Sequence, residues 1–113
     1  MKALLAARSA DTVLTVAFSV MWPDAPHRVL RSSVEAVERL PDGPVAWQRA
    51  GDAEHPVPRF AALCATRQTR GHVEAMALYA GESVERISSV EPAGAIVEEL
   101  VRGAESRLAR RGA

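Results

Sequence analysis

Thr12-Val13-Leu14-Thr15-Val16-Ala17-Phe18, dense in β-branched side chains, is the one stretch of this sequence that reads plainly as a β-strand. A lone strand leaves a row of backbone N–H and C=O groups without partners and cannot stand by itself. The chain must therefore find ladder partners in less obvious segments or on another surface. Alternation places Leu14, Val16 and Phe18 on one face and Val13, Thr15 and Ala17 on the other, so both faces are expected to be at least partly covered.

The remaining signals are helical or irregular. Lys2 to Arg8 is rich in Ala and Leu, yet no Ser, Thr, Asp or Asn precedes it as a cap, so it reads as the end of a longer helix. Prolines in Trp22-Pro23-Asp24-Ala25-Pro26 break regular structure. Ser32 and Glu35 have capping-box spacing for a helix running to about Leu40, with Val34 and Val37 inward and Pro41-Asp42-Gly43-Pro44 as its stop. From Pro41 to about Thr69 no period is sustained, and Pro44, Pro56 and Pro58 interrupt the stretch. Such a length without structure is unusual in a compact domain, so the segment is expected to cross the surface of a larger body. Val73, Met76, Ala77 and Ala80 predict a short helix with Gly81 at its C′ position. The last helix is the clearest element, with Pro92 at its first turn and Ala93, Ile96, Val97, Leu100, Val101, Ala104 and Leu108 on one face. Glu91, Glu98 and Glu99 lie toward its start and Arg102, Arg107, Arg110 and Arg111 toward its end, which suits the helix dipole. The expected class is α/β, more narrowly an α+β fragment, mostly helical with one or two strands and long loops, forming a single partial domain over 1–113.

Composition excludes several roles. With 113 residues the chain makes one domain at most and cannot hold a complete barrel of about 250 residues. Fourteen basic side chains balance fourteen acidic ones, which gives no general pull toward nucleic acid or anionic lipid. A single cysteine rules out an intrachain disulfide and fits a reducing compartment. No apolar run approaches a membrane span or a secretory signal, so a cytoplasmic chain is expected.

The chemistry-bearing residues are scattered. His27, His55 and His72 form no ligand cluster and are expected as solvated loop residues, with no metal site. Cys64, without a neighbouring His or Lys, reads as a small buried, inert side chain. Arg59, Arg67 and Arg70 with Phe60 lack a glycine-rich turn after a strand, and nucleic-acid binding is not expected. The last helix carries no aromatic anchors, so its stripe is expected to meet protein and not membrane. Gly81-Glu82-Ser83 fits an ordinary helix cap or a turn that a ligand approaches through its backbone.

Asp11-Thr12-Val13-Leu14-Thr15 with Phe18, then Trp22-Pro23-Asp24-Ala25-Pro26-His27-Arg28-Val29-Leu30, then Ala75-Met76-Ala77-Leu78-Tyr79-Ala80-Gly81-Glu82-Ser83-Val84 resemble the C-terminal part of the nitronate monooxygenases, FMN enzymes also called 2-nitropropane dioxygenases. Ile87-Ser88-Ser89-Val90-Glu91-Pro92-Ala93 and the helix to Leu108 are similar to the end of that family. The resemblance implies the C-terminal part of a TIM-barrel-type flavoprotein, comprising the last barrel helix and the tail of a smaller domain. It further implies an oxidoreductase that oxidises alkyl nitronates with dioxygen.

The family's glycine-rich phosphate loops and catalytic histidine lie upstream of the matched part, and none of His27, His55 or His72 matches that histidine. No catalytic residue is assigned. The resemblance makes Tyr79, Gly81, Glu82 and Ser83 one wall of a flavin pocket. Tight FMN binding by this chain alone is not expected, because no phosphate cradle is present and Glu82 repels an anion. The expected partner is the missing barrel segment, or a second copy in a homo-oligomer. The competing expectation is a helical protein-interaction module without catalysis.

Overall fold

The computed structural model describes residues 2–112. In order they form helix α1 (Lys2–Ala6), strands β1 (Thr12–Thr15) and β2 (His27–Leu30), helix α2 (Arg31–Arg39), strands β3 (Pro44–Ala50), β4 (Ala53–Pro58) and β5 (Thr69–Gly71), and helix α3 (Ala93–Arg111). Short 3-10 turns cover Ser9–Asp11, Val73–Ala75 and Glu82–Arg86. Among the described residues this is an α+β fold of three helices and two small antiparallel sheets, with no barrel. The expectation of a mostly helical chain with one or two strands is thereby corrected to five strands.

The strand that needed a partner finds one within the chain. β1 pairs antiparallel with β2, from Thr12 opposite Leu30 to Thr15 opposite His27. The other edge of β2 is taken by Leu78–Ala80, where the Leu30 N–H donates to the Leu78 carbonyl at 2.9 Å and the Ala80 N–H to the Arg28 carbonyl at 3.1 Å. β1 ends early because the Thr15 hydroxyl oxygen accepts the Ala17 N–H at 3.0 Å and closes a turn. The alternation then breaks: Phe18 is 0% exposed, whereas Leu14 is 61% and Val16 52% exposed. Covering of both faces, the sequence expectation, is not met on the Leu14 side.

The segment expected to be structureless holds the second sheet. β3 is central in the order β4-β3-β5, and β3 and β4 form a hairpin that turns at Gly51-Asp52, where Gly51 has φ +61°. Its prolines do not oppose this. Pro44 opens β3, and Pro56 and Pro58 lie on the edge strand β4, positions where a missing N–H costs the ladder little. The helix expected from Gly71 to Ala80 is only one 3-10 turn followed by extended chain, although Met76, Ala77 and Ala80 are buried as their spacing foretold.

The main core holds Phe18, Val29, Val37, Val45, Val57 and Met76, drawn from both sheets, the segment after β1, α2 and the Ala75–Ala77 segment, and a smaller cluster of Ala7, Leu30, Ala80 and Val84 lies beside it. The Ser32–Glu35 capping box is not made; α2 begins after Leu30, and the buried Ser33 hydroxyl donates back to the Leu30 carbonyl at 2.8 Å. Its C-terminal end is held by Arg59, which donates to the Val37 and Glu38 carbonyls at 2.9 Å each and pairs with Asp42 at 3.0 Å. The same guanidinium lies 4.8 Å from the centre of the Phe60 ring. Arg59 is therefore a structural residue.

α3 is different. It starts after Pro92, which caps the helix and does not occupy its first turn, and no residue of α3 is buried. The radius of gyration is 17.5 Å against about 13 Å for a compact domain of this length.

Candidate functional site

Of the three stretches that carry the family resemblance the first two are near neighbours in sequence and the third is distant, and pairing brings all three side by side. β1 holds the first, the loop before β2 and β2 itself hold the second, and Leu78–Ala80 on the far edge of β2 holds the third. At their junction sits His27, buried on β2 and not in a solvated loop as expected. Its Nδ1 lies 2.9 Å from the Ala25 carbonyl, and its Nε2 lies 3.4 Å from the Phe18 N–H. This pair of contacts suits a neutral ring that donates through Nδ1 and accepts at Nε2. The ring also meets Phe18 at 6.0 Å and Tyr79 edge-on at 5.7 Å between centroids. With both nitrogens engaged within the chain, His27 is a packing residue.

Tyr79 is half-buried, with its hydroxyl 3.4 Å from the Ala62 carbonyl. Burial raises its pKa, and the nearby Cys64 adds a smaller push in the same direction. Ionisation is thus harder in the folded state. Stability is fully kept while the phenol is protonated in both states and declines as pH rises through the unfolded and then the folded value. As the one tyrosine in the chain, it can be titrated directly by near-ultraviolet absorbance. The expected result is a midpoint above that of the urea-unfolded chain, and Tyr79→Phe should remove its share of the alkaline loss of stability. Equal midpoints in the two states would show that the phenol is not withdrawn from water in the fold.

Gly81 is extended, with φ −75°, and precedes the 3-10 turn Glu82–Arg86; it is not the C′ residue of a helix. A Cβ added there meets only the Ser83 hydroxyl, at 3.8 Å. Nothing inside the chain requires glycine at this position. Glu82 is exposed and pairs with Arg28 at 3.1 Å; Arg28 in turn donates to the Thr12 hydroxyl at 3.1 Å. Ser83 is exposed on the same turn. The four sequence-assigned residues therefore form one continuous edge running from the buried junction to solvent.

Two features of this region were not read from sequence. Met21 and Trp22 are exposed at 70% and 56%, and Met21 (φ 74°), Asp24 (φ 56°) and Phe60 (φ 60°) hold left-handed backbone that side chains of this kind rarely adopt. Val20 and Ala61 join these loops by a parallel bridge, with the Val20 N–H on the Phe60 carbonyl at 3.1 Å. The two prolines Pro23 and Pro26 marked an irregular loop, and nothing local signalled the left-handed positions or the bridge.

The other candidates separate. Cys64 is exposed, which corrects its expected burial. His55 is exposed on β4, and His72 is exposed with its Nδ1 3.0 Å from Glu74. A backbone hydrogen bond, then the one to His72, lowers the Glu74 pKa. Arg67 and Arg70 line a shallow groove of about 310 Å³ with Arg49, Gln68 and Glu54, away from Arg59. Among the described residues no three or more His, Cys, Asp or Glu side chains converge as metal ligands, and no helix is long and apolar enough to cross a membrane. No family model matches the chain, and no curated protein or solved structure matches it significantly.

Proposed function

We propose that this chain is the C-terminal portion or subunit of a nitronate monooxygenase-like, FMN-dependent oxidoreductase, and that it is inactive without a barrel supplied by the rest of that protein. The observation that carries the reading is the junction on β2, where the three resembling stretches meet and end in Gly81, a glycine with no internal reason to be one. A backbone free of a side chain suits close approach of a flat ring. The exposed Leu14, Val16, Met21 and Trp22 on β1 and the following loop add an apolar surface that a larger body would cover.

The residues fit the flavin only in part. Tyr79, Gly81 and Ser83 suit a wall beside the ring, while the phosphate has no glycine-rich cradle here and Glu82 presents a carboxylate. FMN, when bound, supplies the redox chemistry; this chain's share is to close the pocket and keep water from it.

The isolated chain should show no saturable quenching of FMN fluorescence and no nitronate-dependent oxygen uptake. Mixed with a nitronate monooxygenase barrel that lacks its own C-terminal portion, it should restore both. Gly81→Val has room for its Cβ, so it should fold normally yet fail to restore either. Flavin-dependent turnover by the chain alone would refute the need for a barrel, and a failure of the mixture would refute the flavoprotein reading. The non-catalytic interaction module stands as a second reading, favoured by the bare apolar stripe of α3.

A further inference from the structure

We infer that α3 pairs antiparallel with α3 of a second copy of this chain. The inference rests on α3 alone and holds whether or not the β2 junction closes a flavin pocket. Ile96, Val97, Leu100, Val101 and Leu108 are 45–68% exposed on a helix of 19 residues in which nothing is buried. Gly94 and Gly103 inside it weaken it as an isolated helix. Its stability must come from packing of its apolar face.

The shape of that face points to another helix. Ala93, Val97, Leu100, Ala104 and Leu108 follow spacings of four, three, four and four, a narrow seam flanked by Ile96 and Val101. Charge then selects the occupant and its direction. Residues 91–101 carry Glu91, Glu98 and Glu99 with no basic side chain, a charge of −3. Residues 102–111 carry Arg102, Arg107, Arg110 and Arg111 against Glu105, a charge of +3. A parallel pair would stack like halves and aligned dipoles, whereas an antiparallel pair sets each acidic half beside a basic half and opposes the dipoles. In that arrangement Leu100 lies against the second copy's Ala104, and Val97 against its Leu108. The seam from Ala93 to Leu108 is only about 22 Å long and a single helix wide, a small interface, so the pair should exchange with monomer as concentration falls.

Sedimentation equilibrium of the full chain over a wide concentration range should give a reversible monomer–dimer equilibrium. Leu100→Glu should weaken association at least tenfold while leaving the unfolding of the remaining fold unchanged, since Leu100 is not buried within the protomer. Direction is read by cross-linking in a Cys64→Ser background. A mixture of Val97→Cys and Leu108→Cys chains should form mixed disulfides in preference to self-pairs. A monomer at every concentration, or one that instead binds anionic vesicles, would overturn the proposal. Preferred Val97→Cys self-pairs would overturn the antiparallel arrangement.

Discussion

Phe18→Ala is expected to destabilise the fold by about 3 to 5 kcal/mol, the range for removing a fully buried aromatic ring. The ring is completely buried, lies 6.0 Å from His27 and 6.4 Å from Phe60 between centroids, and belongs to the main core. Those neighbours come from β2 and from the loop after β4, so collapse into the cavity would require the two sheets to shift together. The backbone there is restrained as well, because the Phe18 N–H donates to His27 Nε2. Domains of this size have only about 5 to 15 kcal/mol of stability in total, so the variant should lie near its unfolding threshold. Phe18→Leu, which keeps most of the volume, should lose far less. Urea unfolding followed by circular dichroism measures both. A loss below about 1 kcal/mol for Phe18→Ala would mean that the two sheets do not share this core.

Gly71→Val should be comparably severe and more local, at about 2 to 4 kcal/mol. Gly71 has φ +111°, and a Cβ there would lie 2.9 Å from both the Ala46 Cα and the Val45 carbonyl oxygen. Both are backbone atoms of the central strand β3 and cannot swing away. β5 is only three residues long. Its separation from β3 is the expected relief, visible as faster hydrogen exchange at Arg70 and His72, whose N–H donates to the Val45 carbonyl at 2.9 Å. Gly51→Ala is the comparison: φ is +61° but no atom lies within 4 Å of the added Cβ, so only the left-handed backbone cost of about 1 kcal/mol remains. Equal losses in the two variants would show that the close approach of β5 to β3 is absent.

The elements legible in the sequence were those with a local cause. α2 and α3 announce themselves by apolar spacing, and β1 by its run of β-branched residues. The β3–β4 hairpin was hidden because Pro44, Pro56 and Pro58 suppress the strand signal wherever they fall, while the ladder tolerates them at a strand start and on an edge. Gly51-Asp52 was the available clue to its turn. The Val73–Ala80 spacing matched a helix and marked Met76, Ala77 and Ala80 as buried, yet the chain buries them through one 3-10 turn and an extended run whose end, Leu78–Ala80, lies along β2. For the candidate site, Tyr79, Gly81, Glu82 and Ser83 stood out through resemblance, whereas the place of His27 beneath Tyr79 depends on a pairing between residues some fifty positions apart.

What the sequence by itself determined is local. It set that α2 and α3 form, which face of α3 is apolar, and how α3 divides into an acidic and a basic half, because these depend on residues within a few positions of one another. The tertiary structure alone decided which strands pair, that Arg59 holds the end of α2, that His27 has both nitrogens engaged, and that the Leu14 face and the α3 stripe face solvent. Pairing and burial are contests among distant segments for the same backbone groups and the same core volume. Their outcome is set by the whole chain, and composition and periodicity carry no record of it.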